Sequence, residues 1–220
     1  MPDQRMMDLQ KIYDRLLSKF AVDNWWPADS QFEIMVGAIL TQQTTWEKVE
    51  EVIREMKAQG LLDVVTLASI DQEKLEKIIM PLGFYRQKAE RIKSLARYIQ
   101  NHYGSDPSLL LTKPLEEARN ELLTIKGIGK ETADAILLYA GHKETFVAAK
   151  YCCRILMRVG LVKTDRYDDV KRFVEQSIPP DPKIYARLYA LLVQLSKTHC
   201  RNKPKCKDCP LEDICSFKQS

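Results

Sequence analysis

The chain has 220 residues, 45% hydrophobic and 29% charged, a balance that suits a folded protein with a sizeable core. The net charge of +4 is mildly basic and does not by itself assign a partner. Acids and bases run through the first residues, and no apolar stretch approaches the ~18 residues of a membrane span, so we expect a cytoplasmic protein without a secretory leader. In a reducing compartment the six cysteines are not expected to form a disulfide framework.

Helical periodicity dominates. Phe32, Met35, Val36, Ile39 and Leu40 fall on one face and predict a buried helix, followed by Leu40-Thr41-Gln42-Gln43-Thr44-Thr45-Trp46. Turn signals fall at Trp26-Pro27, Pro81 to Gly83, Gly104 to Pro107, Gly127 to Gly129 and Pro179 to Pro182. Pro114 opens a helix running to about Leu123, and Ala133, Ile136, Leu137 and Ala140 mark the helix after it. Near the C-terminus Ile184, Leu188, Leu191, Leu192 and Leu195 share a face, with Asp181-Pro182 as cap and first-turn proline. No segment alternates as a strand would. The pattern predicts an all-α chain of about ten helices in two lobes.

The string Ile125-Lys126-Gly127-Ile128-Gly129-Lys130-Glu131 lies between two of these helices. Two glycines around one apolar residue make a tight turn whose backbone can approach a ligand closely. The amides of the turn and of the next helix's N-terminus form an anion site. Ile128 would plug the hairpin from inside, and Lys126 and Lys130 add positive charge. Such a site holds a DNA phosphate without reading bases. The plainer alternative is a helical corner with a glycine C-cap.

The tail reads Cys200-x5-Cys206-x2-Cys209-x5-Cys215. Thiolates so spaced can converge on one metal centre, and a single central C-x2-C with two longer arms differs from the paired knuckles of most zinc sites. Zinc, or thiols without metal, remain the alternatives. Arg201, Lys203, Lys205 and Lys207, with Lys197 just before them, make this loop basic enough to meet phosphates. Adjacent Cys152 and Cys153 cannot both face one ligand and are expected to pack in the interior.

The hairpin and the cysteine loop together resemble the endonuclease III superfamily, the helix–hairpin–helix DNA glycosylases with a [4Fe-4S] cluster. The resemblance runs from about Trp25 to Cys215. It implies a helix–hairpin–helix lobe over 22–143, a cluster lobe joining 1–21 to 144–220, and a [4Fe-4S] cluster on Cys200, Cys206, Cys209 and Cys215. The first cysteine arm is one residue shorter than the family's. It also implies a partner, double-stranded DNA containing damaged bases, bound by a monomer that associates with the nucleoid through that DNA.

Gln43 matches the family's segment at the lip of the base pocket, which makes it the wedge that fills the gap left by a flipped nucleotide; a helix-capping amide is the alternative. Trp25-Trp26-Pro27, Trp46 and Gly83-Phe84-Tyr85-x-Gln87-Lys88-Ala89 resemble the 3-methyladenine DNA glycosylase branch. Trp26, Pro27 and Trp46 are then pocket residues, since electron-rich rings suit cationic alkylpurines; tryptophans that merely fill the core are the alternative. Bifunctional members carry a nucleophilic lysine where this chain has Glu131. A carboxylate cannot form a Schiff base, which implies hydrolysis without strand cleavage. Glu131 either borders the pocket as a catalytic carboxylate or caps its helix. The family's catalytic aspartate falls at Ala149, within Phe146-Val147-Ala148-Ala149-Lys150-Tyr151. Three functions follow from these residues: a monofunctional alkylpurine glycosylase impaired at Ala149, a non-catalytic lesion- or DNA-binding iron–sulfur protein, and an iron–sulfur DNA sensor without a pocket.

Overall fold

The computed structural model describes residues 4–217. Among them lie twelve α-helices, one 3-10 turn and no strand. Two compact units form, a central one, Trp26–Lys143, and a flanking one made of the chain up to Trp25 and from Glu144 onward. Helix α1 (Gln4–Lys19) belongs to the flanking unit. The central unit holds α2 (Gln31–Leu40), α3 (Trp46–Ala58), α4 (Val64–Ser69), α5 (Gln72–Ile79), the 3-10 turn Met80–Leu82, α6 (Tyr85–Tyr103), α7 (Pro107–Leu111), α8 (Leu115–Thr124) and α9 (Lys130–Tyr139). Helices α10 (Lys150–Arg158), α11 (Tyr167–Ser177) and α12 (Pro182–Thr198) complete the flanking unit.

Helix α2 is the axis of the central unit. Phe32, Met35, Val36, Ile39 and Leu40 are all buried, and α3, α6, α7 and α9 pack around them. A helix hydrophobic on nearly every side is stable only when so enclosed. Its start is fixed by Ser30, whose hydroxyl accepts from Glu33 N at 3.1 Å, a side-chain cap for one of the orphan amides. Asp63, Asp71 and Asp106 cap α4, α5 and α7 in the same way. Helices α8 and α9 are clamped by Arg119 and Asp134, which pair through two bonds of 2.7 and 3.2 Å with Asp134 fully buried. Such a forked pair fixes orientation as well as distance.

In the flanking unit α1 buries Leu9, Ile12, Tyr13 and Leu16 and packs against α11 and α12. Asp181 caps α12 through Lys183 N at 2.7 Å, and Pro182 occupies its first turn as the sequence predicts. The face of α12 differs from expectation at one end. Ile184 is half-buried, and Tyr185 is the enclosed residue, set edge-to-face on Phe146 with centroids 6.2 Å apart. Burial pushes its phenol up to about 12. The sequence pattern favoured the aliphatic side chain, but a ring with its hydroxyl directed at the Glu175 carbonyl fills the larger space. Cys152 and Cys153 are buried, and the Cys153 thiol donates to Ala148 O at 3.1 Å.

Candidate nucleic-acid interface and base pocket

The turn between α8 and α9 follows from its sequence. Gly127 has φ 88°, in the left-handed region, and a Cβ there would fall 2.6 Å from Cδ of Arg91. Conformation and space therefore both require glycine. Ile125 and Ile128 are buried beneath the turn, and Ile128 N donates to Ile125 O at 3.0 Å. Gly129 is the N-cap of α9 and offers no side-chain cap; its Cα faces open space. The first amides of α9 have no intrahelical acceptor, and the helix dipole adds partial positive charge there. Lys126 and Lys130 are exposed on either side, with Lys126 3.2 Å from Glu90 across the surface. A surface pair of that kind yields readily to a phosphate. Glu131 is exposed on the first turn of α9.

Gln43 is exposed and stands at φ 54°, in the turn between α2 and α3. It caps neither helix: the C-cap of α2 is Thr41, and the N-cap of α3 is Thr45, which makes no side-chain cap bond. Its neighbour Gln42, which the sequence reading passed over, reaches the hairpin. Gln42 Nε2 donates to Gly127 O at 3.3 Å and to Thr132 Oγ1 at 2.9 Å. The Gln-Gln doublet was the one available signal for it.

Trp26, Pro27 and Trp46 line one cleft of about 190 Å³ in the central unit. The two indoles meet edge-on with centroids 5.5 Å apart, and the Tyr139 ring lies 4.9 Å from that of Trp26. Gly37 leaves room for the Trp26 ring, since a Cβ there would touch it at 3.4 Å. The polar wall was not foreseen. Asp29, Glu33 and Glu50 contribute carboxylates, and Arg54 and Lys57 contribute cations. Glu33 is buried and 2.8 Å from Lys57 Nζ, which also lies 2.9 Å from Asp29. Hydrogen bonds donated to Glu33 and then Asp29 hold the Lys57 ammonium above the ordinary lysine value. An aromatic cleft with more carboxylates than cations suits a flat, positively charged guest.

Ala149 lies in the flanking unit as the N-cap of α10 and is fully buried. Its methyl gives the helix no side-chain cap, a position where Asp, Asn, Ser or Thr is favoured. The residues leading to it are held firmly: Phe146 N donates to Glu175 Oε1 at 2.8 Å, and Lys171 bonds both Glu175 and Thr145. The frame that would present a side chain at position 149 is thus built, and the side chain is a methyl.

The four tail cysteines are half-buried and free of disulfides. Burial is the main cause that pushes the Cys209 and Cys215 thiols up. Arg154 donates to Cys200 O at 2.9 Å, and Arg158 holds Arg201 O at 2.6 Å and lies 3.4 Å from the Cys200 sulfur. In chemistry this donor set fits a thiolate-bound centre. In spacing, no group of three or more His, Cys, Asp or Glu among the described residues is gathered as a metal ion requires. Arg201, Lys203, Lys205 and Lys207 are all exposed on this loop. No helix among the described residues is long and apolar enough to cross a membrane.

Residues 36–180 match the model of the HhH-GPD superfamily of base excision DNA repair proteins. A Methanocaldococcus jannaschii protein, provisionally named a DNA repair glycosylase, is 40% identical over 220 residues, covering 99% of this chain and all of its own. Endonuclease III of Thermotoga maritima is 26% identical, covering 84% of this chain and 83% of its own. Among solved structures, the 3-methyladenine DNA glycosylase of H. pylori bound to 1,N6-ethenoadenine superposes with TM-score 0.77 at 31% identity, over 86% of this chain and 97% of that one. A non-covalent endonuclease III–DNA complex gives TM-score 0.81 at 21% identity, over 96% and 94%, a likeness of fold.

Proposed function

Because the chain belongs to the HhH-GPD superfamily of base excision DNA repair proteins, we propose that it is a monofunctional DNA glycosylase for alkylated purines of the 3-methyladenine type. The observation that carries this reading is the cleft in which Trp26 and Trp46 stand beside three carboxylates, Asp29, Glu33 and Glu50, that outnumber their two cationic partners, Lys57 and Arg54. An alkylated purine is electron-poor and positively charged, so aromatic faces and nearby carboxylates favour it over the parent base. The likeness to a 3-methyladenine glycosylase at 31% identity supports the same branch. Double-stranded DNA would be held through its phosphates at the uncapped start of α9, with Lys126 and Lys130 beside it, and at the exposed cations of the cysteine loop. Gln43, exposed and in a left-handed turn, would fill the stack that the flipped nucleotide leaves.

The reaction breaks the bond between C1′ and the purine nitrogen, whose bonding pair leaves with the base, while water adds at C1′ and releases a proton to solvent. The base departs neutral because it begins as a cation, so the leaving group needs little acid assistance. The product is an abasic site in an intact strand, since Glu131 offers no amine for a Schiff base. Position 149, which the family resemblance assigns to the catalytic aspartate, holds a methyl and would lend no charge to the sugar. That observation favours a second reading of the same fold, a lesion-binding protein that turns over slowly or not at all. The residues that would hold a [4Fe-4S] cluster are Cys200, Cys206, Cys209 and Cys215. When bound, the cluster would serve as a structural staple shaping the basic loop.

The pocket is tested by equilibrium binding. Duplex carrying a non-cleavable 3-methyladenine analogue should bind more tightly than the same duplex with adenine. Trp26→Ala and Trp46→Ala should each remove most of that preference, about tenfold for a lost stacking face, and affinity for undamaged duplex should change far less. Equal affinity of the parent chain for both duplexes would contradict the pocket assignment.

A further inference from the structure

The hairpin and the turn that carries Gln43 are distant in sequence yet bonded through a single side chain. Gln42 uses its whole amide: Nε2 donates to Gly127 O at 3.3 Å and Thr132 Oγ1 at 2.9 Å, and Oε1 accepts from Arg91 Nη1. This orientation is the only consistent one, because a guanidinium can only donate and a backbone carbonyl can only accept. Arg91, on α6, crosses Gly127 so closely that no Cβ fits beneath it. Its other Nη lies 3.5 Å from Gln87 Oε1, one turn earlier on α6. Three elements, α6, the hairpin and the α2–α3 turn, therefore meet at Gln42.

We infer that Gln42 and Arg91 form a latch that fixes the turn bearing Gln43 in register with the hairpin, so that a phosphate held at the hairpin places the Gln43 side chain at the base stack. The inference rests on the reading of the chain as a base-flipping glycosylase. Gln43 sits at φ 54°, a conformation non-glycine residues rarely adopt, and only an over-determined turn keeps it there. The determination comes from both sides. Thr41 Oγ1 donates to Ala38 O at 3.1 Å and Gln42 N to Ile39 O at 3.3 Å, tying the turn to α2. The Gln42 amide ties it to Gly127, beside the amides expected to meet the phosphate. Gln42 and Arg91 are thus positioning residues: they touch the groups that touch DNA.

The test uses the full chain and a duplex with a tetrahydrofuran abasic site opposite 2-aminopurine. Affinity is read by anisotropy, filling of the gap by 2-aminopurine fluorescence at saturating protein, and stability by thermal melting. Gln42→Ala and Arg91→Ala should each cut the fluorescence response about five- to tenfold, as expected for one or two lost hydrogen bonds, with affinity falling no more than about threefold. The double variant should be no worse than either single one, because both remove one coupled unit. Gln42→Glu, which keeps the Arg91 contact and loses the donors to Gly127 and Thr132, should fold and still lose the response. Gln43→Ala serves as reference and should lose it entirely. A normal response from Gln42→Ala and Gln42→Glu overturns the latch, as does a loss of response that merely tracks lost affinity and melting temperature. If Gln43→Ala itself responds normally, the wedge reading fails and the latch falls with it.

Discussion

Helices α9 and α10 both begin without a side-chain cap, and the two starts could hardly differ more in surroundings. Gly129 opens α9 into space, with Lys126 and Lys130 exposed nearby. Ala149 opens α10 in the interior, fully buried, behind a segment pinned by Glu175 and Lys171. The first is an N-terminus kept bare where an anion can reach it. The second begins at a buried methyl that offers no side-chain cap, at the position the family resemblance assigns to a catalytic aspartate. In the proposed function, binding and chemistry would sit on different helix starts, with a methyl at the second where the resemblance places an aspartate.

The largest expected effect comes from restoring that carboxylate. Ala149→Asp should raise single-turnover excision of 3-methyladenine by about 10²–10³, the range for one electrostatic contact to a developing charge in a water-poor site. Affinity for the lesion should shift far less, because stacking on Trp26 and Trp46 does not depend on position 149. A proportional change in affinity and rate would place residue 149 in ground-state binding instead.

The converse substitution fills the other start. Gly129→Asp supplies α9 with a good N-cap, so the helix should gain a few tenths of a kcal/mol. The same carboxylate occupies the proposed phosphate position and should weaken duplex binding about tenfold at low salt. A variant more stable by thermal melting yet poorer in binding would separate the two roles of that N-terminus. Unaltered affinity would mean that DNA is held elsewhere.

Smaller effects are expected from the surrounding cations. Lys126→Ala, Lys130→Ala and Lys205→Ala should each weaken binding to all sequences alike and lower the slope of log affinity against log salt by about one. Lys126 should show less than Lys205, since its pairing with Glu90 already offsets part of its charge. A sequence-dependent loss would identify the lysine as a base reader rather than a phosphate contact.

What the sequence discloses here is what lies within one turn or one helix. The α2 face, the Asp181 cap and the glycine pair of the hairpin are local patterns, and the structure has each of them. Contacts that close across the fold were not legible. Gln42 meets Arg91, Gly127 and Thr132, partners 49, 85 and 90 positions away, and no periodicity marks such a pair. The same holds for Lys57, whose bonds to Asp29 and Glu33 make the cleft a charged one. Tyr185 displaced Ile184 at the start of α12 because burial follows volume and packing as well as polarity. The cysteine spacing disclosed a donor set, but how closely four sulfurs approach depends on the loop between them.

The central claim is that this protein releases alkylated purines and leaves the strand whole. The most direct measurement follows Ala149→Asp and the parent chain on a duplex with one 3-methyladenine, counting free base and strand breaks before and after alkali. We predict free 3-methyladenine with strands that break only after alkali, released much faster by the aspartate variant. Strand cleavage without alkali, or no released base from either form, would contradict the account.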